Sequence, residues 1–308
     1  MKPSAFDYIR ADTLDEALSV LADGELEAKI LAGGQSLLPL MNMRLARPKT
    51  LLDVNKLDAL QTIERRTMGT EDGRSQTPTL GVGALVRQRV LERYVFKEPR
   101  ARLLQAALTY VGHPQTRNLG TVGGSLAHAD PSAELPLIFT TLGGTAFLQS
   151  TRGERQVAAE QFFQGYFTTV IEPDELLTKT SWPLPASNAG IAFHEFRRRH
   201  GDFALVATAC VLEIDGNRRV QKIRLGIGGV AEMPLLIQEA QELVGQPWTK
   251  EHARAIAVSV ASRLDLADDV QAPAAYRRQL ATVALLRVLE GAYQDALAKE
   301  GAHAKNQG

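Results

Sequence analysis

Residues 29–39, KILAGGQSLLP, place a short apolar run before a glycine pair and a serine. The run favours a strand, and the glycines favour a tight turn at its end. Such a turn lets backbone N–H groups converge on an anion because no Cβ stands in the way, and a neighbouring hydroxyl adds a donor. Glycine is also the default residue of strained turns, so this stretch alone leaves a plain turn and an anion site both open.

A second glycine pair lies in residues 117–136, RNLGTVGGSLAHADPSAELP, between Thr121 and Ser125. Two glycine turns facing each other would form a pocket for a pyrophosphate with few cationic side chains, because backbone dipoles would meet the charge. Neither pair belongs to a strand–GxGxxG–helix unit or to a P-loop. The glycines of residues 81–83 and 226–229 have no helix after them and are predicted to be strand or bulge glycines.

Composition excludes several classes of protein. The 308 residues suffice for two or three domains at roughly 100–200 residues each. The 35 Lys and Arg residues balance 35 Asp and Glu residues, so no net field attracts nucleic acid or an anionic membrane. The single cysteine excludes an internal disulfide, a zinc site built on two or more cysteines, and an iron–sulfur cluster held by this chain's thiolates alone.

The N-terminal sequence, MKPSAFDYIRADTLDEALSVL, lacks the layout of a signal peptide. No apolar run approaches the roughly 18 residues that a membrane span requires. We therefore expect a cytoplasmic, soluble protein with no membrane span and no nucleic-acid partner.

The first half of the chain reads as alternating helices and strands. Thr13 and Glu16 match a capping box that opens the helix DEALSVLAD, and Gly24 lies where it should end. A strand-like run, TLLDV, follows at residues 50–54, and two candidate strands flank the polar segment GTEDGRSQTP, predicted to be a hairpin loop. Further predictions are a helix over residues 97–111 ended by His113-Pro114, and an apolar helix opened by residues 131–136.

The second half predicts an α+β domain, because strands are followed by helices. Residues 182–188, WPLPASN, are the predicted linker. The strand-like runs cover residues 191–198, 204–214 and 220–230, the helical stretches cover 233–244, 250–263 and 275–298, and the last eight residues are predicted to be a disordered tail.

Few side chains offer chemistry of their own. The six histidines form no HExxH pair, and no GxSxG elbow is present. Cys210 lies in an apolar run and is predicted to be an inert core residue, and residues 197–199, three arginines, to form a solvated or subunit-facing edge. A chain with phosphate-binding turns and no acid, base or nucleophile set suits a protein whose cofactor does the chemistry.

Three segments in order resemble one family. Residues 29–39 look like the first flavin motif of the FAD-binding medium subunits of molybdenum hydroxylases, the xanthine dehydrogenase and carbon monoxide dehydrogenase family. Residues 117–136 resemble the second motif, and Gly201-Asp202-Phe203-Ala204 resembles the opening of the family's C-terminal domain. The resemblance covers residues from about 5 to 290.

The resemblance implies an α+β fold with a two-subdomain FAD-binding domain of the vanillyl-alcohol-oxidase type, then a smaller α+β domain with a three-stranded antiparallel sheet and helices. The implied bounds are 1–186 for the FAD-binding domain, with subdomains of about 1–58 and 59–186, then 187–298 for the C-terminal domain and 299–308 for a tail.

The resemblance also implies roles for individual residues. Residues 32–37 and 121–125 would hold the FAD pyrophosphate, Glu134 would reach a ribitol or ribose hydroxyl with Asp130 close by, and Leu177 would lie against the isoalloxazine ring. A first-turn acidic residue is the other interpretation of Glu134, and plain strand core that of Leu177. The complete predicted cofactor-binding set is Lys29, Leu31, Ala32, Gly33, Gly34, Gln35, Ser36, Leu37, Val111, His113, Gly120, Thr121, Gly123, Gly124, Ser125, Asp130, Glu134, Leu177, Phe193 and His194, with no catalytic side chain and no metal ligand.

The implied function is electron transfer by non-covalently bound FAD in a heterotrimer or dimer of heterotrimers. The molybdenum cofactor would lie on a large subunit and 2Fe–2S clusters on a small one, and this chain would pass electrons to an external acceptor. Two alternatives stay open. One is a stand-alone FAD oxidoreductase of the same fold, with His128 as a candidate covalent anchor. The other is an assembly subunit with a degenerate flavin site.

Overall fold

The computed structural model of the chain describes residues 2–69 and 76–305. The elements of the first part are β1 (Asp7–Arg10), α1 (Leu14–Ala22), β2 (Ala28–Leu31), α2 (Leu37–Asn42), β3 (Thr50–Asp53), β4 (Ile63–Gly69), β5 (Gln76–Gly83) and α3 (Gln88–Val95). The middle part contributes α4 (Arg102–Leu108), α5 (Pro114–Leu119), α6 (Val122–His128), α7 (Glu134–Leu142), β6 (Thr145–Ser150), β7 (Gly153–Ala158), α8 (Ala159–Phe162), β8 (Phe163–Gly165), β9 (Thr168–Thr169) and β10 (Leu176–Pro183). The last part contains β11 (Gly190–Phe196), β12 (Val206–Ile214), β13 (Val220–Gly228), β14 (Leu235–Leu236), α9 (Lys250–Arg263) and α10 (Ala274–Lys305).

These elements divide into two compact units, neither of which is one continuous segment. Unit 1 comprises residues 1–93, 113–128 and 144–183, and unit 2 comprises residues 94–112, 129–143 and 184–308. Two of the segments that belong to unit 2 thus come from the predicted FAD-binding domain. The domain boundary near residue 186 stays a prediction.

Unit 1 is built on two main sheets. A parallel sheet has the order β1–β3–β2, and an antiparallel sheet has the order β4–β5–β10–β6–β7. Helix α1 starts where its capping box predicts, because the Thr13 hydroxyl accepts a hydrogen bond from the Glu16 N–H at 3.2 Å. Its apolar side chains pack with Leu52 and Val54 in a core beside the parallel sheet. The predicted strands on either side of the polar hairpin loop are confirmed as β4 and β5, and most of that loop lies outside the described residues.

Unit 2 is an antiparallel sheet of order β11–β12–β13–β14 with helices packed against it. The predicted α+β fold is confirmed, and the predicted three-stranded sheet corresponds to the three long strands, to which the two-residue β14 adds a fourth at one edge. Helix α10 packs against β11 and β12, while α7 packs against β12 and β13 and is buried along its whole length. The core between the sheet and α9 and α10 is aliphatic and includes Cys210, as predicted.

Several local predictions are wrong for identifiable reasons. Residues 233–244 do not form an α-helix. Pro234 lacks an N–H, Leu235 and Leu236 pair with β13 as β14, and only a 3-10 turn follows at Gln238–Leu243. Helix α4 ends at Leu108, before His113-Pro114, and Pro114 instead opens α5, where its missing N–H costs nothing.

The predicted linker and tail also differ from the structure. Trp182 is not in a linker, since it is fully buried in β10 and donates a hydrogen bond from Nε1 to Thr180 Oγ1 at 2.8 Å. Helix α10 continues to Lys305, so residues 299–305 are helical rather than a disordered tail. Residues 306–308 lie outside the described residues.

Candidate functional site

The first glycine motif forms an open loop between β2 and α2. Gly34 has a φ of 69°, a left-handed conformation that favours glycine, and the Gln35 side chain donates to Gly33 O at 3.1 Å. Among the described residues, none accepts a hydrogen bond from the N–H groups of Gly33, Gly34, Gln35 or Ser36. Four neighbouring backbone donors are therefore available to an anion at a loop whose Gln35 and Ser36 are exposed.

The second glycine motif packs directly against this loop. A Cβ on Gly33 would overlap the carbonyl oxygen of Leu119 and lie 2.8 Å from Gly120 Cα. A Cβ on Gly124 would lie 4.0 Å from Ala32 Cβ. The structure therefore brings the two predicted motifs together within unit 1.

The second motif is not a turn at a strand end, which corrects the sequence interpretation. Gly123 and Gly124 lie in the first turn of α6. The N–H of Gly123 donates to Ala84 O at 2.8 Å, that of Gly124 to Thr121 Oγ1 at 3.1 Å, and that of Ser125 to Thr121 O at 3.1 Å. Position 123 requires a glycine because Ala84 packs against it. A Cβ there would lie 2.8 Å from Ala84 Cα. These three amides have partners in the protein, and the hydroxyl groups of Thr121 and Ser125 are further donors for a ligand.

Two polar residues that sequence reasoning missed hold the motifs in register. Asn55 Nδ2 donates to the carbonyl oxygen of Ala32 at 2.9 Å, and Asn55 Oδ1 accepts from Arg87 at 2.7 Å. The same Arg87 guanidinium donates to Leu119 O in the other motif. Burial lowers the pKa of Arg87 while the nearby Asp53 carboxylate raises it, and the side chain stays a cation. No local sequence pattern marks a contact between residues so far apart.

Other predicted residues of unit 1 are placed as follows. Lys29 is exposed on β2, Leu31 is half-buried on the same strand, and Leu37 is the first residue of α2. His113 is exposed before α5. Leu177 is buried in β10, where the register with β6 shifts between Leu177 and Lys179.

In unit 2, Asp130 and Glu134 shape the start of α7. Asp130 Oδ1 accepts from the Ser132 N–H at 2.9 Å and its carbonyl oxygen from the Ala133 N–H at 3.1 Å, which forms the turn into the helix. Glu134 is the first residue of α7 and is buried, which few glutamates are. A carboxylate at this helix end is favoured by the dipole.

Phe193 and His194 are not brought together, because alternate residues of β11 face opposite sides. The Phe193 ring lies 5.1 Å from that of Tyr110, next to the buried Val111. His194 Nε2 lies 3.1 Å from a guanidinium nitrogen of Arg287 on α10. Burial and the Arg287 charge lower the pKa of His194, so its imidazole is neutral at physiological pH.

Glu195, which sequence reasoning left without a role, is an unusual ionisable group of unit 2. Its side chain is fully buried, and within the described part of the chain neither carboxyl oxygen has a hydrogen-bond partner. Burial, together with the charge of Glu134, raises the pKa of Glu195 to about 8 against the attraction of Arg197.

Comparison with known proteins identifies the class. Residues 4–185 match the model of the FAD binding domain in molybdopterin dehydrogenase, and residues 191–292 match that of the CO dehydrogenase flavoprotein C-terminal domain. The chain is 36% identical to the 6-hydroxypseudooxynicotine dehydrogenase complex subunit alpha of Paenarthrobacter nicotinovorans, over 96% of this chain and 97% of the relative. It is 34% identical to the carbon monoxide dehydrogenase medium chain of Afipia carboxidovorans, over 95% and 98% of the two chains.

Solved structures agree with the sequence comparison. A chain of quinoline 2-oxidoreductase from Pseudomonas putida 86 superimposes with a TM-score of 0.88 at 35% identity, covering 96% of this chain and 99% of that one. The fold and the paired glycine motifs define an FAD-binding flavoprotein of the oxidoreductase class. The chain belongs to the family of FAD-binding subunits of molybdopterin dehydrogenases.

The residues present fit the cofactor that this family implies. The four available N–H groups of residues 33–36 suit a pyrophosphate, and the close approach at Gly33 leaves no room for a side chain.

Within residues 2–69 and 76–305, no group of three His, Cys, Asp or Glu side chains could hold a metal ion. No helix in the same ranges is long and apolar enough to cross a membrane.

Proposed function

We propose that this chain is the FAD-carrying electron-transfer subunit of a heterotrimeric molybdenum-containing hydroxylase or dehydrogenase. It takes electrons from 2Fe–2S clusters on a small partner subunit and passes them to an external acceptor. The molybdenum cofactor belongs to a large partner subunit. A cytoplasmic location remains the expectation from the sequence.

The main support for the proposal is the loop of residues 33–36. Its available N–H groups lie next to the second flavin motif of the family. The single cysteine of the sequence supports the partner arrangement, since an iron–sulfur cluster needs several thiolates. Relatives whose names make them a medium chain or a subunit of a dehydrogenase complex support an arrangement with partner subunits.

The chain's own contribution is binding and positioning. The loop amides donate to the pyrophosphate, while Arg87 and Asn55 fix the loop relative to the second motif. Ser125 and Thr121 supply hydroxyl groups, and Glu134 accepts a hydrogen bond from a sugar hydroxyl of the cofactor. FAD, when bound, supplies an acceptor for two electrons that are delivered one at a time.

The stand-alone oxidase reading predicts a covalent flavin anchor, and His128 is the candidate. His128 ends α6, and its ring centroid lies 5.1 Å from that of Phe167. The assembly-subunit reading predicts a folded chain without flavin. The available amides of residues 33–36 favour a functional flavin site over a degenerate one.

A visible absorption spectrum of the purified chain, recorded before and after acid precipitation, separates these functions. We expect flavin bands in the native chain that pass into the supernatant on precipitation. Bands retained by the pellet would indicate a covalent oxidase. A folded chain that stays colourless after incubation with FAD would overturn the proposal.

Electron transfer needs the partners as a second test. The chain should copurify with a molybdenum-containing subunit and a 2Fe–2S subunit when the three are produced together. Substrate added to that complex should bleach the flavin bands. Turnover of a small substrate by this chain alone would contradict the proposed role.

A further inference from the structure

Glu195 presents a problem of charge. Its side chain is fully buried in unit 2, and neither carboxyl oxygen has a hydrogen-bond partner among the described residues. An ionised carboxylate in such a place costs several kcal/mol unless it is paired. The folded chain must therefore either pair this group or leave it uncharged.

Arg197 is the cation beside it, and it forms a long ion pair with Glu195 but no hydrogen bond. Arg197 Nη1 lies 3.6 Å from Glu195 Oε1, which is too long for a hydrogen bond. The same Arg197 atom donates to the carbonyl oxygen of Tyr110 at 2.9 Å, and the guanidinium stacks over the Tyr110 ring at 4.6 Å. Arg197 is thus held by Tyr110 and supplies only a Coulomb attraction to Glu195.

Apart from Arg197, the charged group that acts on Glu195 in the described part of the chain is a carboxylate rather than a cation. Helix α7 contributes Glu134, which is buried and has the same charge sign. The segment after α4 contributes the neutral Tyr110, and β12 places Ala207 directly opposite Glu195. Helix α10 packs on the other face of β11, where Arg287 meets His194.

We propose that Glu195 is a proton-holding positioning residue: it stays uncharged in the folded chain at neutral pH and leaves the negative charge of the pair on Glu134 alone. Glu134 is the carboxylate expected to accept a hydrogen bond from the cofactor, and for that part the inference rests on the proposed function. A second negative charge beside it would disfavour an anionic ligand.

The raised pKa of Glu195 fixes the direction of the pH effect. In the unfolded chain the carboxyl ionises near pH 4.5, and in the folded chain near pH 8. Between these values the folded chain holds a proton that the unfolded chain has lost, so stability falls as the pH rises through this interval. Above about pH 8 the contribution is gone and the slope from this group ends.

The test compares the wild-type chain with Glu195→Gln, a neutral side chain of the same shape, by equilibrium unfolding of the apoprotein between pH 5 and pH 10. The ratio of the two unfolding constants should change about tenfold per pH unit up to about pH 8 and then level off. Glu242→Gln removes an exposed carboxylate of the same unit and serves as the control, with a ratio independent of pH. Parallel pH profiles for wild type and Glu195→Gln would overturn the proposal.

An infrared measurement needs no variant. At pH 7 the wild-type apoprotein should show the carbonyl band of a buried protonated carboxyl group, and the band should disappear by pH 10. Absence of that band at pH 7 would also overturn the proposal, whatever the variant does.

The FAD part is tested by the dissociation constant of FAD. This constant should increase about five- to tenfold from pH 7 to pH 9.5 in wild type, relative to its change in Glu195→Gln. An equal increase of the constant in wild type and Glu195→Gln would show that Glu195 does not affect FAD binding. A chain that binds no FAD would refute the proposed function, while the apoprotein measurements would still decide the protonation of Glu195.

Discussion

At Gly33 the two glycine motifs meet through backbone atoms alone. A methyl group there would overlap Leu119 O, and that atom belongs to a carbonyl already held by Arg87. Backbone atoms cannot rotate away as a side-chain end can, so the contact leaves no tolerance for a Cβ. Glycine is required at position 33 by tertiary packing, whereas at Gly34 it is favoured by a left-handed φ.

We expect Gly33→Ala to weaken FAD binding by at least about tenfold and to destabilise unit 1 by about 1–3 kcal/mol, because the two motifs must move apart. The matched control is Gly24→Ala, where a Cβ would meet nothing within 4 Å. Flavin titration and thermal unfolding of both variants measure the two effects. Equal FAD affinity in the two variants would show that the close approach at Gly33 is not required.

Some residues of the site can be recognised from the sequence and others cannot. Both glycine motifs are recognisable because their spacing and neighbours are local. Arg87 and Asn55 are not, because each is an ordinary polar residue that gains its role only when the ends of β2, β3, β5 and α5 are brought together. Glu195 is not recognisable for the same reason, since burial in the folded chain and the nearby charge of Glu134 are what raise the pKa of its carboxyl.

Asp295 joins three elements of unit 2. It accepts two hydrogen bonds from Arg102 of α4, at 3.1 and 2.9 Å, and one from the N–H of Ile191 in β11 at 2.9 Å. Lys299, one turn further along α10, lies 3.2 Å from it. Burial alone would raise the pKa of Asp295, but these donors outweigh burial and hold it below its usual value.

Asp295→Asn should destabilise the chain by about 2 kcal/mol at pH 7, because charge-assisted bonds to a partly buried group are lost. A lowered pKa contributes stability that is present at neutral pH and lost as the pH falls, so the difference from wild type should shrink below about pH 4. Glu290→Gln, on the same helix in an exposed pair 3.9 Å from Lys250, is the control and should change stability little. Denaturant unfolding at several pH values checks both, and a pH-independent loss would contradict the electrostatic account.

Elements with strong local signals are predicted well, and those set by long-range pairing are not. The capping box of α1 and the long patterns of α9 and α10 determine their own structure. The apolar residues 235–237 follow Pro234 and are drawn to the edge of β13, which a helical pattern does not anticipate. The helix α6 is missed because a glycine pair is an unfavourable helix start unless, as here, Ala84 packs against it.

The three arginines at residues 197–199, directly after β11, lie in two different environments. Arg197 is held by Tyr110, whereas Arg198 and Arg199 are exposed. A test of partner binding should therefore spare Arg197, since its removal would disturb the packing of unit 2.

The double variant Arg198→Ala, Arg199→Ala should leave stability within about 0.5 kcal/mol of wild type and weaken copurification with the iron–sulfur partner. The matched control is Arg254→Ala on α9, also exposed. Assembly and flavin reduction by the partner are the readouts. Unchanged assembly and unchanged reduction would exclude the two arginines from the interface.

Helix α7, buried on every side, imposes an order on biosynthesis. Its nine residues are complete at Leu142, but β12 and β13, which cover it, end at Ile214 and Gly228. At about 5–20 residues per second, the ribosome leaves the apolar side chains of this helix without their sheet for several seconds. A nascent chain stalled in that interval, or one truncated near residue 186, would expose this apolar segment to chaperones and proteases.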